Sequence, residues 1–327
     1  MAKRIEFDAP GGTDVLVYRD FTPADPAPGE VQVENKAIGV NYIDTYFRSG
    51  LYPAPVSPSG VGSEAAGVVV KTGANVKHIK VGDRVVYGQS PLGAYSEIHN
   101  VPEEKLAILP DGISFETAAA CFMKGLTAFY LLRKTYEVKA GEVFLFHAAA
   151  GGVGQIACQW AKALGAKMIG TVGSDEKAQK AKAAGAWETI NYNKEDIVER
   201  VLALTDGEKV GVVYDSVGKD TWLPSLDCIK RRGLMVSYGN ASGPVTGVDL
   251  GILNKKGSLY VTRPSVFGYI TNREELNEAS KAIFDLILSG KLTISIPADQ
   301  VYPLKDAALA HKRLEGRATT GSSILIP

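Results

Sequence analysis

Cysteine is scarce in this sequence: Cys121, Cys158 and Cys228 are the only three in 327 residues, widely spaced and without a Cys-x-x-Cys pair. An odd, scattered count gives no disulfide framework, and with no secretory leader at Met1–Phe7 it predicts a reducing, cytoplasmic setting. Histidine is almost as rare, at four residues, His78, His99, His147 and His311. No Cys or His pair has metal-ligand spacing, so neither zinc-assisted hydrolysis nor a structural zinc lobe finds its donors. A G-x-S-x-G elbow is missing too, and no histidine stands in a triad context, which removes the common hydrolase designs. Net charge is absent: 36 Lys plus Arg balance 36 Asp plus Glu. Without a basic excess or an interleaved basic and aromatic run, nucleic acid is an improbable main ligand. Apolar runs such as Val143–Ala150 fall well short of the ~20 residues a bilayer span requires, so the expectation is a soluble globular chain with no membrane partner.

What is present is length enough for about two domains. The first 125 residues are rich in Gly and Pro, with short strand-like runs at Glu30–Val33, Gly67–Val70 and Asp83–Tyr87, and predict a compact, mainly β domain. From residue 126 to 266 strand-length apolar runs alternate with segments of helical period, the pattern of a parallel, doubly wound α/β sheet. The runs are Val143–His147, Lys167–Val172, Glu188–Asn191, Val210–Val217, Gly233–Tyr238 and, more weakly, Ser258–Thr262. Six strands suit a full dinucleotide-binding sheet. Between the first two, Val153, Ile156, Ala157, Trp160, Ala161 and Leu164 form one apolar stripe, closed by Gly165. Ile197, Val198, Val201 and Leu202 mark a shorter crossover. In residues 267–327, Leu276, Ala279, Ile283, Leu286 and Ile287 predict a helix stopped by Gly290, and the strand Ser323–Ile326 is expected to return to the first domain.

Ala149-Ala150-Gly151-Gly152-Val153-Gly154 follows a strand and opens a helix, the context in which small residues let backbone approach a pyrophosphate. Ala149 replaces the first Gly of the usual pattern and keeps the turn if its φ is negative. A tight strand-to-helix turn without ligand is the plain alternative. At the end of the second strand, where a carboxylate would select NAD, stand Val172 and Gly173, with Lys177 shortly after. That favours NADPH, whose 2′-phosphate Lys177 could pair, although Lys177 is equally readable as a solvated helix lysine opposed by Asp175 and Glu176. His147, ahead of the glycine turn, either touches the cofactor or hydrogen-bonds locally; His78 and His99 read as surface residues and His311 as structural.

At this point several long motifs in order resemble one family. Gly141–Lys162 is similar to the signature of the quinone oxidoreductase (ζ-crystallin) branch of the medium-chain dehydrogenase/reductase superfamily. Gly39–Asp44, Gly62–Gly67 and Val81–Val86 resemble that superfamily's GroES-like catalytic domain, and Pro303–Ala308 with Ile324–Pro327 also fit. The resemblance implies a GroES-like domain of residues 1–125 completed by 267–327, and a Rossmann NADPH-binding domain of 126–266. It places the metal-ligand positions of the zinc-dependent cousins on Asn41, Ser63 and about Met123, none of them Cys or His, so a zinc-independent reaction is implied.

For the cofactor, the resemblance implies Asn41, Tyr42, Ile43, Asp44, Thr45 and Tyr46 as the nicotinamide-side wall, with Tyr130 at the domain junction. It implies Gly152 and Val153 for the pyrophosphate, and Gly173, Ser174, Lys177, Tyr192 and Arg317 for the 2′-phosphate. Tyr238, Gly239, Asn240, Ala241, Pro264, Ser265 and Val266 are implied beside the nicotinamide ribose.

The implied activity is NADPH-dependent quinone reduction. Reduction of a saturated ketone makes an alkoxide and needs a Lewis acid or strong proton donor. A quinone becomes a phenolate-like anion, whose conjugate acid resembles tyrosine at about 10, so orientation in an apolar site does most of the work. Asn41, as an amide donor, and Tyr46 and Tyr52 are the residues read as catalytic, Tyr52 being otherwise a loop aromatic beside Pro53. Reduction of an enone or enal C=C bond is the enzymatic alternative, and a crystallin-like or RNA-binding role the non-enzymatic one. The weak strand Ser258–Thr262, at a sheet edge, predicts a homodimer.

Overall fold

The computed structural model describes residues 1–327, which divide into two compact units, Met1–Leu126 with Ile270–Pro327, and Thr127–Tyr269. Each is considered by itself.

In the second unit six parallel strands lie in the order Glu188–Asn191, Lys167–Val172, Val143–Phe146, Val210–Asp215, Ile229–Ser237 and Tyr260–Thr262. In sequence order this is 3-2-1-4-5-6, the doubly wound dinucleotide-binding arrangement. Every strand run read from the sequence is there, Lys167–Val172 and Glu188–Asn191 with the ends as read and the other four with shifted ends. The fourth stops at Asp215 because that carboxylate turns back to accept from the N–H groups of Val217 and Gly218, at 2.7 and 3.0 Å. The fifth begins earlier, at Ile229, despite the charged Lys230–Arg232, whose side chains point outward at a register shift. The first crossover helix, Gly152–Leu164, buries Ile156, Ala157, Trp160 and Ala161 and ends at Gly165, whose left-handed φ of 73° closes it. The core beneath includes Leu145, Ile169, Ile190, Val201 and Val213.

The first unit is mainly β. The strand Glu30–Val40 is its spine, pairing antiparallel with Ala65–Thr72, with Ile98–Pro102 and with Ser323–Ile326. Two register shifts, at Gln32/Val33 and Asn35/Ala37, let one strand serve these neighbours. Arg84–Tyr87 and Leu106–Ile108 continue the sheet on one side and Val301–Pro303 on the other. A smaller sheet of Val17–Phe21, Ala2–Phe7 and Ser59–Gly60 lies in the same unit. The helix Arg273–Leu288 buries Leu276, Ala279 and Ile283 and ends with Gly290 at φ 70°. No helix is long and apolar enough to cross a membrane.

Candidate functional site

In the second unit the ligand-facing features gather where the strands end. The crossover helix Gly152–Leu164 starts from Gly151 with no side-chain cap. Its first N–H groups therefore lack an internal partner, and the helix dipole adds partial positive charge. A Cβ on Gly151 would meet only the Ala148 oxygen, at 3.3 Å, so backbone is open to an approaching group there. Gly154 is small for another reason: a Cβ would lie 2.4 Å from the Ala148 oxygen, where the helix packs on the turn. The left-handed residue is Ala148, φ 57°, while Ala149 stays outside that region, as the turn required. These features fit a dinucleotide pyrophosphate.

The end of the second strand carries no carboxylate. The Tyr192 hydroxyl lies so close over Gly173 that a Cβ there would sit 2.6 Å from it. Ser174 caps the helix Asp175–Ala183 by accepting from the Lys177 N–H at 3.2 Å. Asp175, which the sequence set against Lys177, is engaged by Asn191 at 2.7 Å and Lys194 at 2.5 Å, and these bonds hold its carboxyl below the ordinary range. Glu176 pairs with Lys180 at 2.7 Å. Gly173, Ser174 and Tyr192 thus meet at a strand end without a carboxylate, and Lys177 lies in the first turn of the helix that Ser174 caps.

The later loops are stitched to one another. Tyr238 and Ala241 N–H groups bond Asp215 and Ser216 oxygens at 2.8 and 3.1 Å, and Gly239 packs so tightly on Ser216 that a Cβ would lie 2.4 Å from its oxygen. Arg263 donates to the Ser237 oxygen at 2.8 Å and, with the Asn240 amide suitably oriented, to Asn240 at 3.1 Å. Pro264 and Val266 are buried and Ser265 is exposed. Tyr130 is buried and stacks on Tyr269 at 4.9 Å. Ser216 and Val217, read in the sequence as the end of the run Val210–Val217, belong instead to the loop after Asp215, and Arg263 was not singled out in the sequence. His147 does not reach the turn's open side. It is fully buried between Thr171 Oγ1 and Ser225 Oγ, both at 2.9 Å, and burial lowers its pKa.

In the first unit the helix Tyr42–Ser49 is opened by Asn41, whose N–H is accepted by Asp44 Oδ2 at 2.8 Å. Tyr46 and Tyr52 meet edge to face at 5.3 Å, with Tyr42 6.2 Å from Tyr46, all half-buried, as is Ile43. Asp44 and Thr45, read as cofactor-facing, turn their side chains inward. Thr45 Oγ1 donates to the Tyr42 oxygen, and Asp44 is fully buried beneath Tyr95, whose hydroxyl donates to it at 2.9 Å. Behind Tyr95 lie His311 at 3.1 Å, Arg48 and the bidentate Arg48–Glu315 pair. Desolvation pushes Asp44 up to about 7 and His311 down to about 3. His99 corrects its surface assignment: it is half-buried, tilted on Tyr87 at 5.9 Å. Arg317 is exposed, at φ 56°.

Asn41 is only partly available as an amide donor, because Nδ2 already gives one hydrogen to Glu64 Oε2 at 2.6 Å. The Met123 N–H meets Glu64 Oε1 at 2.6 Å, and Lys124 Nζ lies 3.5 Å from Oε2. Glu64 and Lys124 went unnoticed in the sequence, and Lys124 in the run Ala118–Leu126 was the signal, a charge inside an otherwise apolar helix.

Two family models match: alcohol dehydrogenase GroES-like domain over residues 27–111 and zinc-binding dehydrogenase over 152–285. The residues do not fit the metal in the second description. An amide, a hydroxyl, a thioether and an ammonium at Asn41, Ser63, Met123 and Lys124 are not a zinc donor set, and no group of three His, Cys, Asp or Glu is placed to hold an ion. The chain is 70% identical to a quinone oxidoreductase of Salmonella typhimurium over the whole of both chains. It is 45% identical to a 2-haloacrylate reductase of a Burkholderia species, over 97% of this chain and 96% of the other. A crystal structure of Escherichia coli quinone oxidoreductase complexed with NADPH superposes at TM-score 0.99 with 68% identity, covering all of both chains. With this fold, this glycine turn and this degree of likeness, the chain belongs to the quinone oxidoreductase branch of the medium-chain dehydrogenase/reductase superfamily.

Proposed function

We propose that this protein is an NADPH-dependent quinone oxidoreductase working without a metal, with Thr127–Tyr269 as its cofactor-binding domain and the remainder as its catalytic domain. The observation that carries the reading is the full-length likeness to a quinone oxidoreductase solved with NADPH. NADPH supplies the hydride when bound. The uncapped helix start at Gly152 and Val153 holds the pyrophosphate. Gly173, Ser174, Lys177 and Tyr192 receive the 2′-phosphate. Tyr238–Ala241 and Pro264–Val266 flank the nicotinamide ribose. The edge-to-face Tyr46–Tyr52 pair gives a flat acceptor a wall, so that orientation contributes most of the acceleration.

Reduction of an activated C=C bond is the second reading, favoured by the 45% identity to a 2-haloacrylate reductase. NADPH oxidation followed with 1,4-benzoquinone, 9,10-phenanthrenequinone and an enone, beside NADH and with EDTA throughout, tests both. EDTA-resistant turnover of quinones with NADPH supports the proposal, and turnover of the enone alone replaces it. A homodimer through the edge strand Tyr260–Thr262, where Tyr260 and Val261 are exposed, is part of the same proposal, checked by solution mass. So is a cytoplasmic location, checked by cell fractionation.

A further inference from the structure

An imidazole sealed in the core has to satisfy both of its nitrogens, and the way His147 does so joins two parts of the nucleotide-binding unit. Nδ1 meets Thr171 Oγ1 and Nε2 meets Ser225 Oγ, each at 2.9 Å, with His147 and Ser225 fully buried. Ser225 Oγ lies 2.9 Å from Asp215 Oδ2, which Thr221 Oγ1 also reaches at 2.7 Å, while Oδ1 accepts the Val217 and Gly218 N–H groups. Every partner of that carboxylate is a donor, so Ser225 gives it a hydrogen and keeps its own oxygen free to accept. The ring proton of His147 therefore sits on Nε2, and the bare Nδ1 accepts from the Thr171 hydroxyl. Burial, which lowers the pKa of His147, keeps the ring in this neutral form. The bonds run from Thr171 near the end of the second strand, through His147 just past the first, to Asp215 closing the fourth, across the place where the strand order reverses.

Each end of this chain of bonds holds a segment assigned above to NADPH. His147 leads directly into Ala148, at φ 57°, and the glycine turn, where the Ala149 N–H is tied to the Thr171 oxygen at 3.0 Å. Asp215 pins the loop Ser216–Gly218, and the backbone oxygens of Asp215, Ser216 and Val217 accept the N–H groups of Tyr238, Ala241 and Ser242 at 2.8, 3.1 and 2.8 Å. We propose that His147 is a positioning residue: acting through Ser225 and Asp215, it fixes Tyr238–Ala241 relative to the glycine turn and so sets the place of the nicotinamide of NADPH for hydride transfer. This rests on the NADPH reading and deepens it, adding a residue that itself touches no ligand. The transfer oxidises NADPH to NADP⁺ and reduces the quinone to a hydroquinone monoanion, which takes its proton from solvent. A buried polar network whose members are all satisfied holds a single geometry, and a misplacement of about 1 Å at the reacting atoms costs about 10²-fold in rate.

Three variants test this. Ser225→Ala cuts the chain of bonds with little change in volume, His147→Phe removes both ring hydrogen bonds, and His147→Gln returns an amide N–H near the Nε2 position. The first readout needs no cofactor: ¹⁵N spectra of histidine-labelled protein should show His147 protonated at Nε2 and bare at Nδ1. The second is the nicotinamide fluorescence anisotropy of bound NADPH with no acceptor present, beside the affinity for 2′,5′-ADP, which lacks the nicotinamide half. The third is single-turnover hydride transfer to benzoquinone at saturation. The expectation is unchanged 2′,5′-ADP affinity throughout, lower anisotropy and transfer slowed about 10–10²-fold in Ser225→Ala and His147→Phe, and both restored in His147→Gln. A histidine with only a structural role would lower the melting temperature and leave anisotropy and transfer at wild-type values. That outcome in Ser225→Ala, or a proton on Nδ1, overturns the proposal. A wild-type protein that binds NADPH but reduces no quinone overturns the quinone reading instead, and the anisotropy comparison still decides on His147.

Discussion

Replacing Asp44 with asparagine should change how the stability of this protein depends on pH. The carboxyl is fully buried, and desolvation raises it from 3.8 to about 7, against the hydrogen bonds from the Asn41 N–H and Tyr95 hydroxyl and the charge of Lys124, with Glu64 adding to the rise. Because the folded value lies above the unfolded one, the group favours the fold in its protonated form. That contribution is complete below about 3.8 and is lost as pH rises through about 7. A rise of roughly three pH units at 1.36 kcal/mol each amounts to about 4 kcal/mol, of which about 2.5 kcal/mol falls between pH 5 and pH 8. Asparagine keeps an oxygen for the Asn41 N–H and cannot ionise. Urea unfolding at pH 5 and pH 8 should therefore show the wild type losing about 2.5 kcal/mol more than Asp44→Asn across that interval. Tyr95→Phe, which removes a donor to the carboxylate, should move the wild-type midpoint upward. An identical pH dependence in wild type and Asp44→Asn would refute the assignment of a raised carboxyl to this site.

Other expectations concern the cofactor and acceptor. Lys177→Ala should weaken NADPH by about 10–100-fold, the value of a charge-assisted bond, while leaving NADH unchanged in fluorescence titrations. Tyr46→Ala and Tyr52→Ala should each raise KM for a large quinone with little change in NADPH affinity; unchanged kinetics in both would remove the pair from the acceptor wall. Ala148→Gly should stabilise the fold by up to about 1 kcal/mol in thermal melts, since Ala148 is exposed and held at φ 57°.

The second unit was legible because its signals are local. Apolar runs of strand length, one amphipathic stripe and a cluster of small residues each fit within a few consecutive positions, and the number of runs is that of a full dinucleotide-binding sheet. The lack of a carboxylate after Val172 was legible directly. The interior of the first unit was not, because its polar bonds join residues far apart in the chain: Asn41 with Glu64, Met123 with Glu64, Tyr95 with His311. No periodicity marks such pairs. Asn41 therefore read as a free amide although half of its donor capacity is used, and Asp44 read as facing a ligand although it faces Tyr95. His147 was ambiguous for the same reason, its partners lying 24 and 78 residues away.

The strand Ser323–Ile326 lies between Val301–Pro303 and Glu30–Val40. During synthesis the ribosome delivers Glu30–Val40 long before this partner. Thr127–Tyr269, by contrast, is one uninterrupted stretch and emerges with all its strands. The nucleotide-binding unit can thus complete its sheet while the earlier-made one still exposes an open edge at Ile38–Val40, and folding order runs opposite to the order of translation. For some tens of seconds that edge is the nascent chain's exposure to mispairing, at synthesis rates of about 5–20 residues per second.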